Sequence, residues 1–242
     1  KYFDRITRPE QILASLPQAI SMMLDQADCG PATIAISQDV QGEAFDYPEI
    51  FFEEKIHEIR RVYPDQNQIN KAASLIMESK QPIIISGGGV LYSEAEKQLS
   101  DFAKKHNIPV TQTAMGIGCM DRDDPYNMGP IGALGVGGAN FLSKDTDLAI
   151  AIGTKLGDFT TGSWSNFNNN NFKLVSINAA RFDVIKHRAT PVVSDAKIGL
   201  QELSKKLGDW KAPDKWYELG VSETKKWDSY IEKQSGPTNQ KE

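Results

Sequence analysis

Apolar residues in this chain fall in short runs, separated by longer polar stretches with helical spacing. The clearest run is Gln81-Pro82-Ile83-Ile84-Ile85-Ser86-Gly87-Gly88-Gly89-Val90, β-branched at its centre and ending in three glycines. A polar, helix-favouring segment follows over 91–106. This is the pattern of a buried parallel strand, a tight turn and a crossover helix. It recurs downstream. The reading is strands at 82–86, 109–113, 147–152, 173–178 and 191–194, with helices at 67–79, 92–106, 132–143, 181–187 (short) and 195–207. Such alternation predicts an α/β fold: a doubly wound, mostly parallel six-stranded sheet with helices on both faces and right-handed crossovers.

Outside this core zone, 67–207, the pattern changes. Residues 1–45 read as one α-β unit, a helix over 9–25 and a strand over 32–37. Thr7 with Glu10 three residues later predicts a capping box, and Pro17 predicts a kink or an early break. The strand is apolar on both faces, as a central parallel strand is. One α-β unit cannot bury it, so it either docks on the main sheet or is the end of a domain otherwise missing. Residues 46–66, with Pro48 and Pro64 around a charged middle, read as a linker. Residues 208–242 read as a polar tail, part of which packs as a helix because Trp210, Trp216 and Trp227 lie in it. Its end, 235–238, reads as disordered.

Charge and cysteine content narrow the function classes. The net charge of −5 comes with no basic stripe, which argues against nucleic acid as a partner. No apolar run approaches the ~20 residues of a membrane span. Two cysteines, Cys29 and Cys119, without a CxxC pair fit a cytoplasmic chain with free thiols. The opening, Lys1-Tyr2-Phe3-Asp4-Arg5, has neither a signal peptide nor Met and reads as an excised piece of a longer protein.

Candidate chemistry gathers at the expected carboxyl ends of the strands. Gly87, Gly88 and Gly89 follow the first strand, and Gly153, Thr154 and Lys155 follow the strand at 147–152. Ligands of open α/β sheets sit beyond such ends, where glycine admits close approach and a helix start favours an anion. These six residues are the candidate cofactor-binding set, a vestigial nucleotide cleft; the alternative is that the glycines only permit tight turns. Thr111–Thr113 and Asn178 converge on the same crevice. A dinucleotide site is disfavoured, because a third glycine and an acid after the second strand are both missing. The run Gly129 to Gly138 either allows close helix–sheet packing or lines a cleft. His57, His106 and His187 lack ligand-spaced partners, so no metal site is expected; His106 and His187 suit helix ends as cations. No catalytic constellation is identifiable.

The segments 81–90 and 107–118, then 147–156, 173–178 and Pro191-Val192-Val193-Ser194-Asp195-Ala196, together resemble the central domain of thiamine-diphosphate-dependent enzymes, a Rossmann-like fold. Finer features resemble one hydrolase branch of that family, which opens a cyclic dione at a C–C bond: the opening 2–11, the join 38–48, and Gly157-Asp158-Phe159-Thr160-Thr161. The resemblance implies a parent enzyme using thiamine diphosphate and Mg²⁺. It also implies partner domains in the same polypeptide, pyrimidine-binding before and diphosphate-binding after, and a homo-oligomeric parent. On this reading 1–45 is the last α-β unit of the pyrimidine domain. The family's Mg²⁺–diphosphate motif has no counterpart here, since Gly208-Asp209-Trp210 is not it. The resemblance therefore implies that this chain binds no cofactor and is inactive alone. A second reading is a nucleotide module for FAD or ADP. Lys155 stands where flavin-using relatives carry arginine, and a lysine point charge suits that ligand less well than a planar fork.

Overall fold

The computed structural model describes residues 1–235. The chain divides into two compact units, 1–61 and 62–242.

The first unit is built on a strand the sequence pattern concealed. Strand β1, Tyr2–Ile6, pairs in parallel with β2, Ala32–Ile36, in the register Tyr2↔Ala32 to Ile6↔Ile36. Helix α1, Ile12–Leu24, crosses between them. Strand β2 thus finds its partner within its own unit and does not join the main sheet. The polar alternation of Tyr2-Phe3-Asp4-Arg5-Ile6 hid β1, because a strand covered on one face reads as half polar. Pro17 lies inside α1 without breaking it, and the helix runs on to Leu24. The cap also differs from expectation: the Gln11 side chain, not that of Glu10, accepts from the backbone N–H groups of Thr7 and Arg8, at 2.7 and 2.9 Å. Beyond Val40–Gly42 the unit has no strand. Phe45, Tyr47, Phe51 and Phe52 pack together, edge to face except for the stacked pair Tyr47–Phe51, with centroids 4.9–6.1 Å apart.

The second unit is a six-stranded, all-parallel sheet in the order β5-β4-β3-β6-β7-β8. In chain order it runs α2 (Gln66–Glu78), β3 (Pro82–Ser86), α3 (Gly88–Tyr92), α4 (Glu96–His106), β4 (Val110–Gln112), β5 (Asn127–Pro130), α5 (Gly137–Asp145), β6 (Leu148–Ile152), α6 (Asp158–Thr161), β7 (Lys173–Asn178), α7 (Arg181–Val184), β8 (Thr190–Val193), α8 (Ala196–Leu207) and α9 (Asp214–Gln234). Successive strand residues face opposite sides. Ile84, Ile150 and Ile177 meet α2, α4 and α8 on one face. Ile83, Ile85 and Ala151 meet α5 and Trp216 of α9 on the other. Each fully buried isoleucine contributes roughly 1.5–3 kcal/mol. The order is the doubly wound one, and its direction reverses between β3 and β6.

Two corrections apply here. The sixth strand is β5, whose Asn127-Met128-Gly129-Pro130 sequence carries no strand signal. The helix expected over 92–106 starts only at Glu96, because the chain after α3 turns at Glu94 with φ of 52°. Part of 208–235 packs as a helix, as expected: α9 packs on α5, and the Trp216 indole donates to the carbonyl of Pro82 at 2.9 Å. Of the disorder expected over 235–238, all but Ser235 falls outside the described residues.

His106 is not a helix-end cation. It is fully buried, with Nδ1 2.8 Å from the carbonyl of Trp210 and Nε2 3.0 Å from the Ser204 hydroxyl. Burial holds its pKa below the usual histidine value. The left-handed residue Asn107 ends α4, at φ of 55°.

Candidate functional site

The loops after β3 and β6 meet at the point where strand order reverses, where the sequence placed its six candidates. They meet by touching each other. The Gly87 amide donates to the carbonyl of Ile152 at 2.8 Å, and the Gly89 amide to that of Gly153 at 2.9 Å. A Cβ on Gly87 would lie 2.5 Å from the Gly153 oxygen, and one on Gly89 would lie 2.6 Å from Gly153 Cα. Gly153 itself has φ of 60°, in the region that favours glycine. Gly88 approaches the loop after β4, its added Cβ falling 3.1 Å from the Met115 carbonyl oxygen. Gly116 of that loop would place a Cβ 2.2 Å from the Ser86 carbonyl oxygen. Three loops therefore interlock backbone to backbone, and their glycines are needed for that contact.

The polar groups of the crevice are engaged in the same way. Thr111 Oγ1 donates to the Ile84 carbonyl and Ser86 Oγ to that of Thr111, at 2.9 and 3.2 Å. Thr154 accepts on its backbone oxygen from Asn178 Nδ2 at 3.2 Å, and on its hydroxyl from the Leu156 amide at 3.3 Å. Cys119 Sγ lies 3.4 Å from the Gly87 carbonyl, and burial pushes its thiol up to about 11, so it stays protonated. Lys155 stands out in solvent, 77 % exposed, with Nζ 4.0 Å from Asp183. The other Asp183 oxygen is held by Lys186 at 2.5 Å. Lys155 is thus the member of the set whose side chain reaches solvent.

A second concavity escaped the sequence reading. A cleft of about 790 Å³ lies between the loop after β4, strand β5 and helix α9. Gln112, Arg122, Asn127, Trp227 and Asp228 are among its walls. The missed signal was the spacing Trp216, Gly220, Thr224, Trp227, which is one face of a helix. That face also decides the two readings of the Gly129–Gly138 run. Gly137 and Gly138 serve close packing, since their Cβ atoms would fall 2.7 Å from the Trp227 ring and 2.4 Å from Thr224 Oγ1. Gly129 lines the cleft. Among the described residues no group of His, Cys, Asp and Glu has the arrangement to hold a metal ion. Nor is any described helix long and apolar enough to cross a membrane.

Residues 69–203, the sheet and its flanking helices, match the family described as thiamine pyrophosphate enzyme, central domain. The chain belongs to that family. Similarity to individual proteins extends beyond the matched domain. The chain is 44 % identical over 207 residues to a 3D-(3,5/4)-trihydroxycyclohexane-1,2-dione hydrolase of Clostridium perfringens, covering 86 % of this chain and 32 % of the relative. It is 40 % identical over 234 residues to the enzyme of that name from Geobacillus thermodenitrificans, covering 96 % and 36 %. A third, from Halalkalibacterium halodurans, is 44 % identical over 212 residues, covering 88 % and 33 %. The chain thus spans about a third of the length of these relatives. These relatives are all named as hydrolases.

Proposed function

We propose that this chain is the central part of a thiamine-diphosphate-dependent hydrolase that opens the ring of 3D-trihydroxycyclohexane-1,2-dione to 5-deoxy-glucuronate, in the catabolism of inositol. The observation that carries this is the 40 % identity over 234 residues, which takes in the first unit and α9 as well as the domain common to the whole family. In this reading residues 1–45 close the pyrimidine-binding domain, 46–66 are the connection and 67–207 the central domain. The segment after 208 leads towards the diphosphate-binding domain. Helix α9 nevertheless packs on α5 and β5 of the central domain.

The chain's own contribution is structural. Thiamine diphosphate and Mg²⁺ supply the carbanion chemistry when bound, but the donors present here do not fit them, for the carboxylates form no metal site among the described residues. No step is assigned to this chain, and alone it is inactive. Gly87, Gly89 and Gly153 hold three loops in register, and their committed amides favour this packing role over a nucleotide cradle.

The test is the whole polypeptide. Supplied with thiamine diphosphate and Mg²⁺, it is expected to hydrolyse the cyclic dione, with mass spectrometry identifying the open-chain deoxy acid. A full-length protein that binds the cofactor and leaves the dione untouched would overturn the substrate. Separately, FAD or ADP binding to this chain at micromolar concentration, followed by calorimetry, would overturn the packing role of the glycines.

A further inference from the structure

We propose that the cleft between β5 and α9 binds a small organic cation, a flat ring that carries an amidinium or ammonium group with N–H donors. The cleft holds about 790 Å³, the size of a small-molecule site. Its walls include none of the six candidate residues after β3 and β6.

The observation that carries this is Gln112. It is the last residue of β4, and ligand groups of open α/β sheets stand at such ends. Its side chain belongs to the cleft wall, although the residue is only 4 % exposed. The Nε2 group donates to the Met120 carbonyl at 3.1 Å, and among the described residues nothing donates to Oε1. The one enclosed side-chain atom without a partner among those residues is Gln98 Oε1, so Gln112 Oε1 is not enclosed and opens to the cleft. A buried amide pinned by its nitrogen thus turns an acceptor towards the cleft, and an acceptor there asks for an N–H or O–H donor.

The other walls narrow the donor's chemistry. Trp227 is half-buried, and its indole rests on Gly137, where an added Cβ would fall 2.7 Å from the ring. Met120, Met128 and Ile231 add apolar surface. Four exposed carboxylates, Asp121, Asp123, Asp228 and Glu232, stand around them against Arg122 alone. Among the described residues none of the four forms an ion pair. Acids beside an aromatic ring attract a cation, through their field and through the ring quadrupole. The same acids repel a phosphate or a carboxylate. A bare metal ion is not held, since no group of His, Cys, Asp and Glu among the described residues has the arrangement for it. An apolar flat body, a positive charge and an N–H donor answer all the walls together.

The experiment is heteronuclear NMR of this chain, titrated with three compounds of one shape: benzamidine, a cation; benzamide, which is neutral; and benzoate, an anion. The Trp227 indole N–H and the Gln112 side-chain amide report binding. Both are expected to shift with benzamidine and to saturate at millimolar concentration. Benzamide should bind about tenfold more weakly, and benzoate should leave both signals unmoved. High salt should weaken benzamidine and spare benzamide. The double variant Asp121→Asn, Asp228→Asn is expected to keep its melting temperature, because neither carboxylate has a partner among the described residues, and to lose about tenfold in benzamidine affinity. Equal affinity for the three compounds would reduce the cleft to an adhesive aromatic wall and overturn the proposal. So would a double variant that binds benzamidine undiminished, or a shift at Trp227 that leaves Gln112 unmoved. Silence of both signals at about 10 mM benzamidine overturns it as well.

Discussion

In the second unit Ile84 and Ile150 have a strand on either side and helices over both faces, and neither is exposed at all. In the first unit Ile36 has one neighbouring strand, and 44 % of it is in water. Phe3 on the paired strand is 70 % exposed. Both units follow the same strand–helix–strand scheme, with Ile, Ala, Val and Thr in their strands. What separates them is the number of neighbours. A sheet element is stable when its layers are covered, and a two-stranded sheet with one helix cannot cover both faces.

The contrast makes quantitative demands. Ile150→Ala should cost about 2–5 kcal/mol through a cavity between two strands and α-helices. Ile36→Ala should cost less than about 1 kcal/mol, as nearly half the side chain is already hydrated. All four tryptophans, 164, 210, 216 and 227, lie in the second unit, so fluorescence in urea follows that unit and far-ultraviolet dichroism follows both. Equal costs would erase the distinction.

Glycine substitutions give the next largest effect. Gly89→Ala forces a Cβ to within 2.6 Å of Gly153 Cα and should destabilise by about 1–3 kcal/mol. Gly42→Ala in the first unit meets nothing within 4 Å and should change stability by no more than about 0.5 kcal/mol. Differential scanning calorimetry of the two variants decides whether the interlocked loops are as rigid as their contacts imply.

A smaller effect comes from acid. His106 titrates below its usual value in the folded chain because burial disfavours the cation, and at its ordinary 6.5 when unfolded. Below 6.5 the unfolded state binds the extra proton, so the contribution of this group is complete above 6.5 and is lost as pH falls beneath it. The urea midpoint of the second unit should therefore drop between pH 7.5 and 5.5, and His106→Gln should flatten that dependence. The smallest perturbation is chemical labelling at neutral pH. Exposed Cys29 should react with a thiol reagent while buried Cys119, pushed up to about 11, should not. One thiol is expected in the native chain and two in urea.

Legibility in the sequence tracked burial on both faces. Strands such as Pro82–Ser86 and Leu148–Ile152 are continuous apolar runs because each face meets helices, and they were readable at once. Tyr2–Ile6 and Asn127–Pro130 were not, since one is half wet and the other is an edge strand held by its neighbours more than by its composition. The six candidate residues lie on two loops that touch, after β3 and β6. Their engagement with one another was invisible, because a glycine needed for a ligand and a glycine needed for a neighbouring loop look identical in sequence. The cleft beside Trp227 required knowing that α9 returns over α5, a pairing set by Gly137 and Gly138 and by no local motif.

The bond from the Trp216 indole to the carbonyl of Pro82 joins residues 134 positions apart. A ribosome adding 5–20 residues per second takes about 7–27 s to cover that distance. For that interval the nascent strand β3 waits with its apolar faces formed and its final cover unmade. Leu148–Ile152, its second strand partner, arrives about halfway through. Synthesis therefore leaves β3 without its final cover until Trp216 is made, and a chain ending before Trp216 would never gain it.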